Sequence, residues 1–202
     1  MIVNEPPRHG KSRTAQLFSA WVLGKRPSEK VIAGSYNEQL SSSFSRSVQE
    51  RKAGERIVYS DVFPASKIKK GNAAVTLWGL EGQHISFLAT SPTGTVTGMG
   101  GTLIIIDDIV KNAEEAYNDT ILEQNWTWFT NTMLSRLEAG GKIIIIATRW
   151  HSDDLSGRAL RHYEAIGTHI THISERALQN DGTMLCDEIL NREAYDLIVK
   201  TM

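Results

Sequence analysis

The sequence predicts an α/β fold, with a mainly parallel central sheet flanked by helices, and three observations carry that prediction. Leu103-Ile104-Ile105-Ile106 is continuously apolar and rich in β-branched residues, as a strand buried on both faces of a parallel sheet must be. Ile143-Ile144-Ile145-Ile146-Ala147 repeats the pattern. Stretches of helical character separate the apolar runs, and strands alternating with helices imply right-handed crossovers between parallel neighbours.

The elements follow in order. Residues 1–4 read as the end of a strand. Residues 11–24 read as a helix with Ala15, Phe18, Ala20, Trp21 and Leu23 on its apolar side, stopped by Gly24 and Pro27. Residues 30–36 form a second strand, and Asn37 caps a helix running to about Ala53. Residues 74–78 and 84–89 flank Gly79-Leu80-Glu81-Gly82 as the arms of a β-hairpin. Residues 90–101, rich in Thr, Ser and Gly, read as a mobile loop. Residues 114–137 read as a single helix that Gly140-Gly141 break before the strand at 143–147. A further helix covers 153–165, followed by a strand near 169–174 and a short helix near 191–200.

Bulk properties narrow the function. A chain of 202 residues fits one domain and buries roughly 70% of its unfolded surface. The formal net charge of −1 advertises no global affinity for nucleic acid, so any such contact comes from a local patch or from several subunits together. Lys67, Lys69 and Lys70 make a small basic patch that reads as a solvated face. Trp126 and Trp128 read as core or interface rather than as platforms for bases. One cysteine, Cys186, excludes an internal disulfide and suits a reducing compartment. No apolar run approaches the ~18 residues of a membrane span, and the first residues lack the apolar stretch of a signal peptide. A soluble protein is expected.

Two motifs carry chemistry. Glu5-Pro6-Pro7-Arg8-His9-Gly10-Lys11-Ser12 lies between a strand end and a helix start, where backbone N–H groups and the helix N-terminus face a phosphate chain. Lys11 adds a point charge at the β- and γ-phosphates, and the Ser12 hydroxyl is placed to ligate Mg²⁺. Glu5 stands where the usual pattern has its first glycine, so the segment alone also fits a surface loop capping a helix. Asp107-Asp108 follow a buried strand and open into the crevice where such sheets bind ligands. Asp107 is the candidate Mg²⁺ ligand, and Asp108 the candidate base that orients and deprotonates water. A solvated turn also accommodates two aspartates, but the two motifs explain each other. Together they predict a P-loop NTPase whose nucleotide-binding segment is Pro7, Arg8, His9, Gly10, Lys11, Ser12 and Arg13.

A third strand tip, Ala147-Thr148-Arg149-Trp150-His151, reaches the same crevice if its strand lies beside that of Asp107. The Thr148 hydroxyl is then placed to hydrogen-bond the attacking water or the γ-phosphate and to sense its loss. Arg149 either reads phosphate or pairs with Asp153 or Asp154. His151 invites a zinc reading, but His162, His169, His172 and Cys186 are too scattered in sequence to make a site.

These segments, with Thr97-Gly98-Met99-Gly100-Gly101 before the acidic strand and Leu134-Ser135-Arg136-Leu137-Glu138 before the third, resemble the ATPase domain of large terminase subunits, the DNA-packaging motors of tailed bacteriophages. The likeness spans about residues 1–165, and the Thr148-Arg149-Trp150-His151 segment is its most specific part. The resemblance implies an ASCE-type P-loop fold, ATP with Mg²⁺ and a ring of identical subunits. It also implies double-stranded DNA moved into a procapsid, a portal protein and a small terminase subunit as partners, and the host bacterial cytoplasm. It assigns Arg8 as an arginine sensing the γ-phosphate in cis, and Thr148 as the residue coupling hydrolysis to movement.

Met99 departs from the family, which often has an arginine there; if that arginine acts on the neighbouring subunit, this chain either lacks trans activation or supplies it from Arg46 or another residue. Residues 1–202 are expected to be one ATPase domain, truncated at its N-terminal edge before an adenine-binding segment. Residues 166–202 are then its peripheral end, and no nuclease domain follows. Asp187, Glu188, Glu193 and Asp196 read as a solvated face. The alternatives are another P-loop translocase or helicase-like ATPase, a small-molecule kinase, and an inactive prophage remnant or oligomerisation module.

Overall fold

The computed structural model describes residues 1–49, 59–94 and 98–201. Eight of its strands join in one sheet: β1 (Ile2–Asn4), β2 (Val31–Ser35), β3 (Ile68–Ala73), β4 (Leu77–Leu80), β5 (Phe87–Thr90), β6 (Gly101–Asp107), β7 (Leu137–Ala147) and β8 (His172–Ser174). Their spatial order is β3-β4-β5-β2-β6-β7-β1-β8. Only β3–β4 and β4–β5 run antiparallel; every other pair is parallel. The helices are α1 (Lys11–Lys25), α2 (Glu38–Gln49), α3 (Tyr59–Val62), α4 (Ala113–Ala116), α5 (Asp119–Thr127), α6 (Leu155–Ala165) and α7 (Arg192–Thr201). No helix among the described residues is long and apolar enough to cross a membrane.

The two isoleucine runs are continuous because helices cover both faces of the sheet. Ile104 and Ile106 pack with Leu122 of α5 and Leu155 and Ala159 of α6. Ile105, between them, points the other way and joins Ala15, Val22 and Leu23 of α1 and Phe44 and Val48 of α2. All three isoleucines are fully buried, so the period-2 alternation of a half-exposed strand vanishes. A stacked pair, Trp78 and Phe87 with ring centroids 5.2 Å apart, closes the antiparallel end of the sheet.

Several expectations change. Phe18 and Trp21 are not on the buried side of α1: they are 40% and 45% exposed and stack on each other. The buried side instead carries Lys11, Ala15, Ser19, Val22 and Leu23. The apolar residues of α1 are spread around its circumference, so periodicity could not select a face. The hairpin is also displaced, pairing Leu77 with Leu88 and Trp78 with Phe87. Gly79 and Leu80 therefore belong to β4 rather than to the turn. Lys67 and Lys69 are exposed, but the segment from Ile68 is a strand antiparallel to β4.

The single helix expected over 114–137 is four pieces, because Asn112 and Asn118 each cap a new helix. The Asn112 side chain accepts from Glu115 N, and that of Asn118 from Thr120 N and Ile121 N. A π-helical turn at Trp128–Met133 and a 3₁₀ turn at Leu134–Arg136 follow. β7 then starts at Leu137, so Gly140-Gly141 lie inside a strand. Gly140 takes φ 76° beside a register shift between β6 and β7, a bulge only glycine accepts readily.

Asn37 caps α2 as expected, its side chain accepting from Leu40 N at 2.8 Å. The predicted end of that helix near Ala53 and the part of the 90–101 loop at residues 95–97 lie outside the described residues.

Candidate active site

The sheet delivers the site by register. Asn4, the last residue of β1, is level with Ala147 of β7, and Asp107 of β6 is level with Ile146 of β7. β7 therefore lies between the strand that feeds the loop before α1 and the strand that ends in the acidic pair. All three carboxyl ends meet in one crevice, the place where open parallel sheets bind ligands.

A cavity of about 170 Å³ sits there, lined by Pro7, Arg8, Gly10, Lys11, Ser12, Arg13, Asp108 and Thr148. Gly10, at φ 91°, turns the chain into α1 with no side chain capping the helix. The first N–H groups of α1 are thus left to an anion. His9 tightens the loop, its Nδ1 donating to Pro7 O at 2.9 Å. The non-glycine residues with positive φ among those described are Arg8 (68°) and Asp108 (44°). Both line this cavity, and strained backbone of this kind concentrates at functional sites.

Lys11 reaches across the crevice. Its Nζ donates to Thr148 Oγ1 at 2.8 Å and stands 3.7 Å from Asp108 Oδ2. Asp108 Oδ1 accepts from Thr148 N at 2.9 Å, while Asp108 N donates to Ile146 O at 2.9 Å. The Asp108 side chain is 31% exposed and keeps access to water. Beside it, Ser12 Oγ donates to Asp107 Oδ1 at 2.9 Å. Burial pushes the Asp107 carboxyl up to about 6, and the neighbouring Asp108 charge adds to the effect, against the Ser12 hydrogen bond and the Lys11 charge. A buried carboxylate and a hydroxyl in contact are an all-oxygen donor pair suited to Mg²⁺, and a cation there offsets the cost of ionising Asp107.

Of the sequence-predicted site residues, all but His9, Asp107 and Arg149 line the cavity; Asp107 contacts it through Ser12 and His9 through Pro7. His9 forms the loop behind it. Arg149 turns away: its Nε donates to Asp154 Oδ2 at 2.9 Å. Of the two readings of Arg149, pairing with Asp154 is the one seen. His151 faces the Tyr117 ring, with centroids 5.3 Å apart, and accepts from Asp153 N at 3.2 Å. Met99 is buried at 4% exposure in the core that packs against α5 and α6.

Sequence reading passed over Asn4. Only 2% exposed, it donates to Ala147 O at 3.1 Å and Ser156 Oγ at 3.2 Å. A buried asparagine at a strand end beside a phosphate loop was the available signal.

The family model for the terminase large subunit, T4likevirus-type, N-terminal, matches residues 2–198. The chain belongs to that family. Its terminase fold is also similar to two solved structures. One is the N-terminal domain of the DNA packaging ATPase of bacteriophage phi29, at 11% identity and TM-score 0.49, covering 87% of this chain and 86% of that one. The other is S. cerevisiae Dbp5 in a complex with ADP, at 10% identity and TM-score 0.48, covering 91% of this chain and 44% of that one. No curated protein matches the terminase chain.

Proposed function

We propose that this terminase chain hydrolyses ATP and is the ATPase core of a DNA-packaging motor. The observation that carries the reading is the position of Lys11 Nζ, between Thr148 Oγ1 and Asp108 Oδ2 in a cavity walled by the phosphate loop. An ammonium so placed marks where a terminal phosphate would lie.

The chemistry follows from that placement. The loop N–H groups from Gly10 onward and the Lys11 ammonium bind the phosphate chain. Ser12 and Asp107 would hold Mg²⁺, which supplies neutralising charge at the terminal phosphates. With phosphate bound, Lys11 exchanges its contact with Thr148 for one with an anion, and the Thr148 hydroxyl is freed toward the attacking water. Asp108 accepts the proton as the water oxygen bonds to the γ-phosphorus and the bond to ADP breaks. Arg8, at the mouth of the cavity, offsets charge developing on the γ-phosphate in cis.

In the motor, this cycle drives double-stranded DNA into a procapsid, with a ring of copies working on a portal protein and a small terminase subunit in the host cytoplasm. Steady-state ATP hydrolysis by the purified chain with Mg²⁺, with and without double-stranded DNA, tests the reading. Hydrolysis that disappears in Asp108→Ala supports it. Hydrolysis unaffected by Asp108→Ala, or phosphoryl transfer to a metabolite in place of water, overturns it.

A further inference from the structure

We infer that Asp154 is a positioning residue for hydrolysis: its buried carboxylate holds the tip of β7 so that Thr148 is presented to Lys11 and Asp108. The inference rests on the hydrolytic reading above and adds to it the group that fixes the strand tip.

Asp154 lies just before α6, and its side chain is 4% exposed. Its two oxygens do different things. Oδ1 accepts from Gly157 N at 2.9 Å and caps α6. Oδ2 accepts from Arg149 Nε at 2.9 Å and from Trp150 N at 3.4 Å. A helix cap needs only one acceptor and no charge. The second oxygen is therefore spent on the strand tip, and its partner is a guanidinium that repays the burial of a carboxylate.

Thr148 stands immediately before that grip and immediately after another. On its N-terminal side, Ala147 O accepts from Asn4 Nδ2, which also donates to Ser156 Oγ of α6. Asn4 Oδ1 in turn accepts from His172 Nε2 at 2.9 Å. The residues on either side of Thr148 are thus both fastened, through buried polar groups, to the first turn of α6. Thr148 itself carries the contacts to the site, N–H to Asp108 and hydroxyl to Lys11.

Gly157 shows how close the packing is. A Cβ there would lie 1.9 Å from Ser152 O and 2.8 Å from Arg149 NH2, so only glycine lets the strand tip fold back over the helix start.

Two variants separate the grip from the cap. Asp154→Asn keeps an oxygen for Gly157 N but turns an amide N–H₂ toward Arg149 and Trp150 N. Arg149→Met removes the same contact from its more exposed end, and leaves the cap carboxylate in place. Each is measured for kcat, for the affinity of a non-hydrolysable ATP analogue and for amide hydrogen exchange at Thr148 and Gly157.

The expected result is a kcat at least about tenfold lower, since misplacing a reacting group by about 1 Å costs on the order of 100-fold. Analogue affinity stays within about threefold, because the phosphate-binding groups of the loop are untouched. Thr148 N–H, bonded to Asp108, exchanges at least about tenfold faster, while Gly157 N–H keeps its protection. Unchanged exchange at Thr148 in both folded variants overturns the inference, as does an undiminished kcat. If the parent chain does not hydrolyse ATP, the hydrolytic reading fails, and exchange at Thr148 still decides whether Asp154 fixes the tip.

Discussion

Lys11 Nζ and Thr148 Oγ1 are 2.8 Å apart although 137 positions separate them in the chain. The contact joins the start of α1 to the end of β7 and bridges the crevice. The Lys11 ammonium, in a residue 7% exposed, is held between the Thr148 hydroxyl and the Asp108 carboxylate.

Removing the hydroxyl while keeping the shape isolates the role of Thr148. Thr148→Val is expected to lower kcat by about 100–1,000-fold, the range for loss of one positioned hydrogen-bond donor in a transition state. Binding of a non-hydrolysable ATP analogue should change by less than about threefold, because Lys11 then bonds phosphate rather than Thr148. Equal losses in affinity and rate would show that Thr148 merely shapes the loop.

Asp107 gives a prediction about stability against pH. Its folded-state carboxyl is raised from 3.8 to about 6, first by burial and then by Asp108. The folded state therefore holds this proton more tightly than the unfolded chain. The associated stabilisation is complete below the unfolded value near 4 and is lost as pH rises through about 6. Asp107→Asn should make the metal-free protein more stable at pH 8, by on the order of 2–3 kcal/mol, and the advantage should vanish below pH 4. Thermal melts of both proteins across that range check the sign. The same variant should lose Mg²⁺-dependent hydrolysis.

Gly34 in β2 is pressed against the π-helical turn. A Cβ there would approach Trp128 Cη2 to 2.6 Å, and Trp128 is 7% exposed. Gly34→Ala should cost about 1–3 kcal/mol by overpacking, measured by urea denaturation. A neutral result would mean the Trp128 ring shifts freely.

Asn4 offers a test of the other fastening of the strand tip. Asn4→Ala leaves Ala147 O without its buried donor, which should cost about 1–3 kcal/mol. Because the lost contact adjoins Thr148, kcat should also fall, with analogue affinity preserved. A stability loss with unaltered kcat would separate this contact from the chemistry.

Much of this was legible in the sequence. The isoleucine runs announced central strands because burial on both faces leaves no room for polar alternation. The Gly10-Lys11-Ser12 and Asp107-Asp108 motifs could be joined because each follows a strand. Other features depended on tertiary choices. Both faces of α1 offered apolar residues, and contact with α2 and the sheet decided which was buried. The four-piece segment after Asn112 hid its breaks because asparagine is tolerated within helices as well as at their caps. Gly140-Gly141 looked like a terminator but accommodate a bulge. Arg149 had two aspartates within reach, and only the fold of the strand tip over α6 selected Asp154.

The most direct test of the account is ATP hydrolysis by the parent chain and by Lys11→Ala, with analogue binding measured on both by titration calorimetry. Mg²⁺-dependent hydrolysis is expected in the parent, with loss of both hydrolysis and analogue binding in the variant. Nucleotide binding that survives Lys11→Ala unchanged would contradict it.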